Sequence, residues 1–398
     1  MRLIEMEAWS PFDPVELSHD QAAEIAGLGL VEVVAQAPSG TWKLVANSRI
    51  GVGVGSGWEL RVRPRLAVPK LFFLLAYVAD PKGWKDQIAE FKSEPDLLDA
   101  IANGFSWHAL SVLKRGLLRG YLRVDERLTT IRGRVRFEDQ IAHNASLPLP
   151  AEVSYDDYTE DVLENRMLRT ATVALLRLPR VPASARQRLL RVRSLLDGIG
   201  LLDRPREATM PPLTRLNRRY GASLRLAERI LRASSIDAAK GPLAATAFVF
   251  DMNRVFEDFV TVALREALDC YGGTVTAQWN GPFDHQRQLE IRPDVTWWRA
   301  GNCLAVVDAK YKALAPRRMP NVDAYQMLAY CTALGLPHGF LVYAKDSGEQ
   351  PRTYEVLKSK CVIEVRTLDV EVGPDLLLQQ VQALAAEIAR RASASRAA

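Results

Sequence analysis

The feature that most constrains this chain is Arg292-Pro-Asp294 leading into one strand-like run and Asp308-Ala-Lys310 closing the next. Gln288–Trp298 and Cys303–Tyr311 are rich in β-branched and aromatic residues, and Arg299-Ala-Gly-Asn302 between them is a turn. The segment therefore predicts a hairpin. Side chains alternate faces along a strand, so Asp308 and Lys310 share a face, and Asp294, opening the partner strand, can reach it. Two carboxylates and an ammonium at adjoining strand ends suit metal-assisted phosphodiester hydrolysis. Mg²⁺ is a hard ion that takes one or two carboxylates and keeps several waters, so Asp294 and Asp308 are candidate metal ligands. Mn²⁺ is a workable substitute. The ion lowers the pKa of a bound water and neutralises charge on phosphate oxygens, while Lys310 can orient the attacking water or stabilise the transition state. Against this stands a bland alternative: Asp-x-Lys at a strand end is also the pattern of a solvated surface pair.

The flanks supply further candidates. Ala245–Arg265 has apolar residues at helical spacing, with Glu257 beside Phe256, Phe259 and Val260 at the edge of the packed face. Val322–Tyr330 predicts another helix, with Gln326 and Tyr330 one turn apart on one face. The order is helix, hairpin, helix, then the strand Gly339–Ala344, followed by strand-like Thr353–Leu357 and Cys361–Arg366. A helix from Asp375 to about Arg391 comes next, with the last residues as a frayed tail. His285, in a polar loop, is a candidate ligand or base without a spaced partner.

Residues 1–93 carry short alternating runs, Val31–Val34, Trp42–Ala46, Ile50–Val54 and Trp58–Arg63, broken at Pro38-Ser-Gly40 and Gly55-Ser-Gly57. They predict a β-rich domain. The glycines of Gly51–Gly57 precede no Gly-Lys-Ser/Thr, so turn and strand are expected there rather than a phosphate loop. From 94 to 240 the spacing turns helical and arginine-rich. The basic cluster from Lys114 to Arg136 is open to two readings: a surface for DNA or an acidic partner, or the solvated faces of amphipathic helices. Asp156, Asp157, Glu160, Asp161 and Glu164 are read as capping and first-turn charges before a helix at Leu163.

At 398 residues the chain has room for two or three domains, and a net charge of +5 implies basic character only where it is local. Four widely spaced cysteines argue against zinc and against a disulfide framework, with Cys303 and Cys361 read as buried thiols. No basic-then-apolar leader and no apolar run of spanning length is present, so a cytoplasmic protein without membrane partners is expected.

Glu257, Pro293-Asp294, Asp308-Ala-Lys310 and Gln326-x-x-x-Tyr330 together resemble the PD-(D/E)xK nuclease superfamily, in its branch with a Gln-x-x-x-Tyr helix. More narrowly, the chain resembles the McrC family of McrBC-type modified-cytosine restriction systems. The similar stretches are Gly116–Tyr121, Leu128–Val135, Glu164–Leu168, Asp251-Met-Asn253 with Phe256-Glu257, Asp308–Lys312 and Asp323–Tyr330. The resemblance implies a mixed α/β multidomain chain. Its parts would be a β-rich domain at 1–93 that contacts an AAA+ ring, a helical middle at 94–240 and a PD-(D/E)xK restriction-endonuclease-like core at 241–398.

It implies a Mg²⁺-dependent DNA endonuclease subunit that binds no nucleotide itself. Such a subunit docks on and stimulates an McrB-like AAA+ GTPase, which recognises modified DNA and translocates. By resemblance Asp294 and Asp308 are metal ligands, Lys310 is the catalytic lysine and Glu257 helps position metal or water. Gln326 belongs with this set, and Tyr330 and Lys312 support the site or touch the DNA backbone. Two alternatives remain open: a stand-alone nuclease of the same superfamily in repair or defence, and a non-cleaving adaptor that activates the ring.

Overall fold

The N-terminal alternation folds as strands. β1 (Arg2–Glu7), β2 (Pro11–Glu16), α1 (His19–Leu28), β3 (Val31–Gln36), β4 (Thr41–Ala46), β5 (Arg49–Gly55) and β6 (Trp58–Arg63) follow in order. The computed structural model describes residues 2–79, 81–82, 84–85, 97–144, 149–178, 181–234, 246–311, 320–344 and 351–397. The helix α1 was not expected among these strands, although its signals are local. Ser18 and Gln21 form a reciprocal capping box at its start, and Gly29 ends it at φ 68°. The β2-β4-β3 sheet is antiparallel throughout.

α2 (Val68–Ala79) and α3 (Leu97–Leu113) follow, then β7 (Gly120–Leu128), β8 (Arg134–Val135), α4 (Phe137–Asn144) and β9 (Ala151–Thr159). α5 (Leu163–Arg177), α6 (Ala183–Leu195) and α7 (Gly221–Ala233) complete the middle of the chain. The stretch expected to be helical thus contains a three-stranded sheet, β7-β9-β8. Gly120–Leu128 has a period-two alternation, and pairing with β9 from Gly120↔Thr159 to Leu128↔Ala151 overrides the helical spacing.

The acidic cluster is corrected in part, since of its members only Glu164 lies in the first turn of the helix. The helix at Leu163 is capped by Val162 without a side-chain bond. Asp157 pairs with Arg132 at 2.9 Å, Glu160 with Arg119 at 2.8 Å, and Asp161 takes Arg166 in a two-pronged bond at 2.8 and 2.7 Å. Arg127 pairs with Glu152 at 2.7 Å. Much of the basic cluster is therefore paired with carboxylates of its own unit, and each exposed pair contributes no more than about 1 kcal/mol.

The remainder comprises β10 (Thr246–Asp251), α8 (Met252–Leu268), β11 (Thr274–Ala277), β12 (Gly281–Pro282), β13 (Glu290–Ile291), β14 (Val295–Arg299) and β15 (Asn302–Lys310). α9 (Asn321–Leu334), β16 (His338–Ala344), β17 (Arg352–Glu355), β18 (Val362–Leu368) and α10 (Pro374–Ala397) follow. Residues 246–251, expected as the first turns of a helix, form a strand instead. The tail expected to fray continues as helix to Ala397, consistent with its alanine content.

The hairpin forms as expected. β14 and β15 pair antiparallel, and Ala300 and Gly301 turn the chain at φ 50° and 79°, both left-handed as a two-residue hairpin turn requires. It sits inside a six-stranded sheet of order β11-β14-β15-β16-β18-β17, with β15, β16 and β18 parallel.

The chain forms two compact units, Met1–Ala100 with Ala247–Ala398, and Ile101–Thr246. The first joins stretches that the sequence separated. Phe73 and Tyr77 of α2 meet Phe259 of α8 edge-on at 5.7 and 5.6 Å, and β10 joins the sheet β1-β6-β5-β10.

Gly51 makes that last pairing geometrically feasible. It has φ 142°, and a Cβ there would lie 1.8 Å from the carbonyl oxygen of Phe248 in β10. The glycine run is strand and turn, as expected. Gly51→Ala should push β10 off β5 and cost about 1–3 kcal/mol, measured as a lower urea midpoint at unchanged m-value.

Candidate active site

β10 ends in the residue that starts the helix bearing Glu257. The Asp251 carboxylate accepts from the Asn253 N–H at 3.0 Å and caps α8. Ser48 ties this corner to the N-terminal strands. Its carbonyl accepts from Met252 N at 3.0 Å, and its hydroxyl donates to Asp251 and accepts from Asn253 Nδ2. The apolar face of α8 is buried through Phe256, Phe259 and Val260, leaving Glu257 half-buried beside it.

Asp294 sits one residue before β14, and since Val295 pairs with Val307, it falls opposite the Asp308–Ala309 step. Its Oδ2 accepts the backbone N–H of Ala309 at 2.8 Å, closing the end of the hairpin. Asp308 is in the middle of the sheet, flanked by β14 and β16, and is only 2% exposed. Its Oδ2 lies 2.6 Å from Lys310 Nζ, with Lys310 20% exposed, and accepts no hydrogen bond beyond that ion pair. The solvated-pair alternative fails here, because a surface Asp would not be buried in a central strand.

The electrostatics are those of crowded acids in a dry place. Burial, then the neighbouring Asp308 and Glu257 charges, push Asp294 up to about 8. Burial also raises Asp308, against the opposing pull of Lys310. Glu257 is raised by burial first and by Asp308, with Lys310 again opposing. For Lys310, burial works against the charge, but Asp308, Asp294 and Asp323 outweigh it and hold its pKa above the usual range. These four groups feel one another, so Glu257 joins the hairpin site electrostatically.

Gln326 and Tyr330 occupy one face of α9, as expected, but they grip the backbone. Gln326 Nε2 donates to the Tyr330 hydroxyl at 2.7 Å, which donates to the Arg292 carbonyl at 3.2 Å. They thus brace the Arg292-Pro-Asp294 approach. Burial and the charge on Asp308 push the Tyr330 phenol up to about 12. Lys312 lies outside the described residues. His285 is exposed in a loop whose backbone N–H groups converge on Asp284. Cys361 is buried and Cys303 half-buried, and all four cysteines are free thiols.

Sequence reasoning gave no role to Asp323, which is buried and accepts the Tyr343 hydroxyl at 2.5 Å, locking α9 to β16. It also missed a cleft of about 220 Å³ that Glu257 and Asp294 line together with Arg254, Arg265 and Gln278. The i, i+11 spacing of the two arginines, close to three helical turns, was the available signal.

Among the described residues no three His, Cys, Asp or Glu side chains converge as a ready metal cage. The Asp294–Asp308 pair nonetheless fits Mg²⁺, which takes one or two carboxylates and retains water. Its crowded negative charge and the Asp308 oxygen engaged only by Lys310 are what a cation would satisfy.

A mixed α/β architecture of several sheets, with a buried carboxylate–lysine centre at a hairpin end, defines the class. The chain belongs to the family described as McrBC 5-methylcytosine restriction system component, whose model matches residues 46–344. Among solved structures, it is similar to a chain of the half-complex of Thermococcus gammatolerans McrB AAA+ hexamers with bound McrC. The TM-score is 0.58 at 19% identity, covering 97% of this chain and 100% of that one. A chain of the Thermococcus gammatolerans McrBC complex aligns with a TM-score of 0.40 and 20% identity, over 67% of this chain and 88% of that one. No curated protein matches. Among the described residues no helix is long and apolar enough to cross a membrane.

A raised folded-state pKa means that the folded chain holds a proton the unfolded chain has lost between pH about 4 and about 8. In metal-free buffer, stability should therefore fall as pH rises through that window, by at most about 1.4 kcal/mol per pH unit for one proton. Asp294→Asn should flatten the slope and be the more stable form at pH 8. Urea midpoints across the window would test this, and a slope that the variant leaves unchanged would count against it.

Proposed function

We propose that this chain is the DNA endonuclease subunit of a restriction system of its family, built on a PD-(D/E)xK core. The observation that carries it is the burial of Asp308 against Lys310, with the half-buried Asp294 beside it at the hairpin end and Glu257 of α8 in the same field. A surface ornament would not incur this desolvation, and perturbed carboxylates in a cleft mark functional sites.

Asp294 and Asp308 would hold Mg²⁺, which when bound supplies charge neutralisation at the scissile phosphate and a more acidic water. Asp308 keeps Lys310 charged and oriented, so that its ammonium is available to the phosphate oxygens as charge develops. Asp294 is held in place by the Ala309 N–H, so little rearrangement is needed to receive substrate. Glu257, with its raised affinity for protons, can accept hydrogen from a water poised for attack. Gln326 and Tyr330 act as positioning residues through the Arg292 carbonyl.

The division of labour follows the family. An McrB-like AAA+ GTPase would select modified DNA and translocate, while this chain docks on it through the N-terminal region at 1–93, stimulates it and cuts. The Thermococcus gammatolerans assembly, in which McrB AAA+ hexamers carry bound McrC, supports this arrangement.

The test is plasmid cleavage at low salt with Mg²⁺, with and without the AAA+ protein and GTP. Cutting should require partner and nucleotide, and Asp308→Asn should lower it by about 10³-fold or more while leaving the complex intact. Cutting by this chain alone would support a stand-alone nuclease, and an unaltered mutant would reject the assigned site.

A further inference from the structure

The cleft that reaches Glu257 and Asp294 holds two cations that the carboxylate–lysine centre does not use. Arg254 and Arg265 both line it, and neither has a hydrogen-bond or ion-pair partner among the described residues. This contrasts with the second unit, where Arg119, Arg127, Arg132 and Arg166 are engaged by carboxylates. Asp258, which also lines the cleft, has an interaction of its own.

Both arginines belong to α8. At 3.6 residues per turn, eleven residues bring them within about 20° of each other around the helix and about 16 Å apart along it. Thr261, another lining residue, falls on the same stripe, and Glu257 lies one turn from Arg254. The helix therefore sets a guanidinium on each side of the carboxylate that joins the active site. At about 3.4 Å of duplex axis per base pair, the separation matches an axial span of four to five base pairs.

A third lining residue carries independent strain. Gln278 has φ 45°, a left-handed conformation that a non-glycine side chain rarely adopts. Its N–H donates to the Asp294 carbonyl at 2.8 Å, and its Oε1 accepts from Arg292 at 2.6 Å. The amide is thus fixed to the backbone of a site residue, and its Nε2 has no partner among the described residues. Strain of this kind persists where surrounding contacts over-determine it, and it clusters at ligand sites.

We propose that Arg254 and Arg265, with the Gln278 amide, form a phosphate track that holds the nucleic-acid strand entering the active site. The proposal rests on the nuclease reading and adds the residues that grip its substrate. Guanidinium groups bind phosphate oxygens in two-pronged fashion, and contacts to phosphates carry no base sequence. The track would hold any sequence, as suits a subunit whose target is chosen elsewhere.

The test uses the full chain carrying Asp308→Asn, so that bound DNA stays intact. Affinity for a short labelled duplex is followed by fluorescence anisotropy against KCl concentration. Arg254→Gln with Arg265→Gln should lower the slope of log K against log salt by about 1.8, and each single change by about 0.9. Lysine at both positions should restore the slope, and the thermal melt should be unaltered.

An unchanged slope in the double variant, a slope that lysine fails to restore, or a chain with no DNA affinity would overturn the track. An acidic protein as the true ligand would appear as the first of these. Loss of the track alone leaves a chain that still cuts in an Asp308-dependent manner. A chain that neither binds nor cuts loses the nuclease reading as well.

Discussion

Everything around the site answers to the burial of Asp308 beside Asp294. Taking carboxylates out of water costs several kcal/mol per ion, and two together repel. Lys310 at 2.6 Å and the Ala309 N–H at 2.8 Å offset part of that cost. The residue of unfavourable energy remains as raised proton affinity on Asp294, Asp308 and Glu257. Such an arrangement persists only in a rigid frame. β14 and β16 flank Asp308, the Asp323–Tyr343 bond locks α9 to the sheet, and Tyr330 secures the segment before Asp294.

The stretches that carry the family resemblance divide between the candidate site and the framework. Asp251 and Asn253 cap α8 and tie it to Ser48, more than two hundred positions away in the chain. Asn165 donates to the carbonyls of Leu118 and Glu160 at 2.9 and 2.7 Å, and Arg166 clasps Asp161. Each of these residues satisfies buried or crowded polar groups whose loss would loosen the backbone. A signature of this kind marks a fold as much as a reaction.

Local chemistry in the chain was legible where a rule depends on neighbours in sequence. The hairpin, its Ala300-Gly301 turn and the shared face of Asp308 and Lys310 follow from a period of two and from turn geometry. Local spacing predicts helix at 246–251, whereas its strand partner, β5, is nearly two hundred residues earlier and approaches closely at Gly51, where a Cβ would clash. Gly120–Leu128 likewise falls in the stretch whose spacing predicts helix, and pairing with β9 decides for strand. The acidic cluster before Leu163 resembles capping charge, but Glu160 and Asp157 are claimed by Arg119 and Arg132 from elsewhere in the chain, and only Asp161 by Arg166 of the helix itself.

By itself, then, the sequence determined which residues alternate, which share a helix face and which family pattern they fill, because covalent geometry settles those over a few residues. Tertiary structure alone decided that Asp308 is buried, that Gln326 and Tyr330 brace a backbone carbonyl, and that Arg254 and Arg265 open onto the cleft of Glu257. Burial, local dielectric and pairing across long separations arise only when distant elements pack, and these set the charge state on which the chemistry rests.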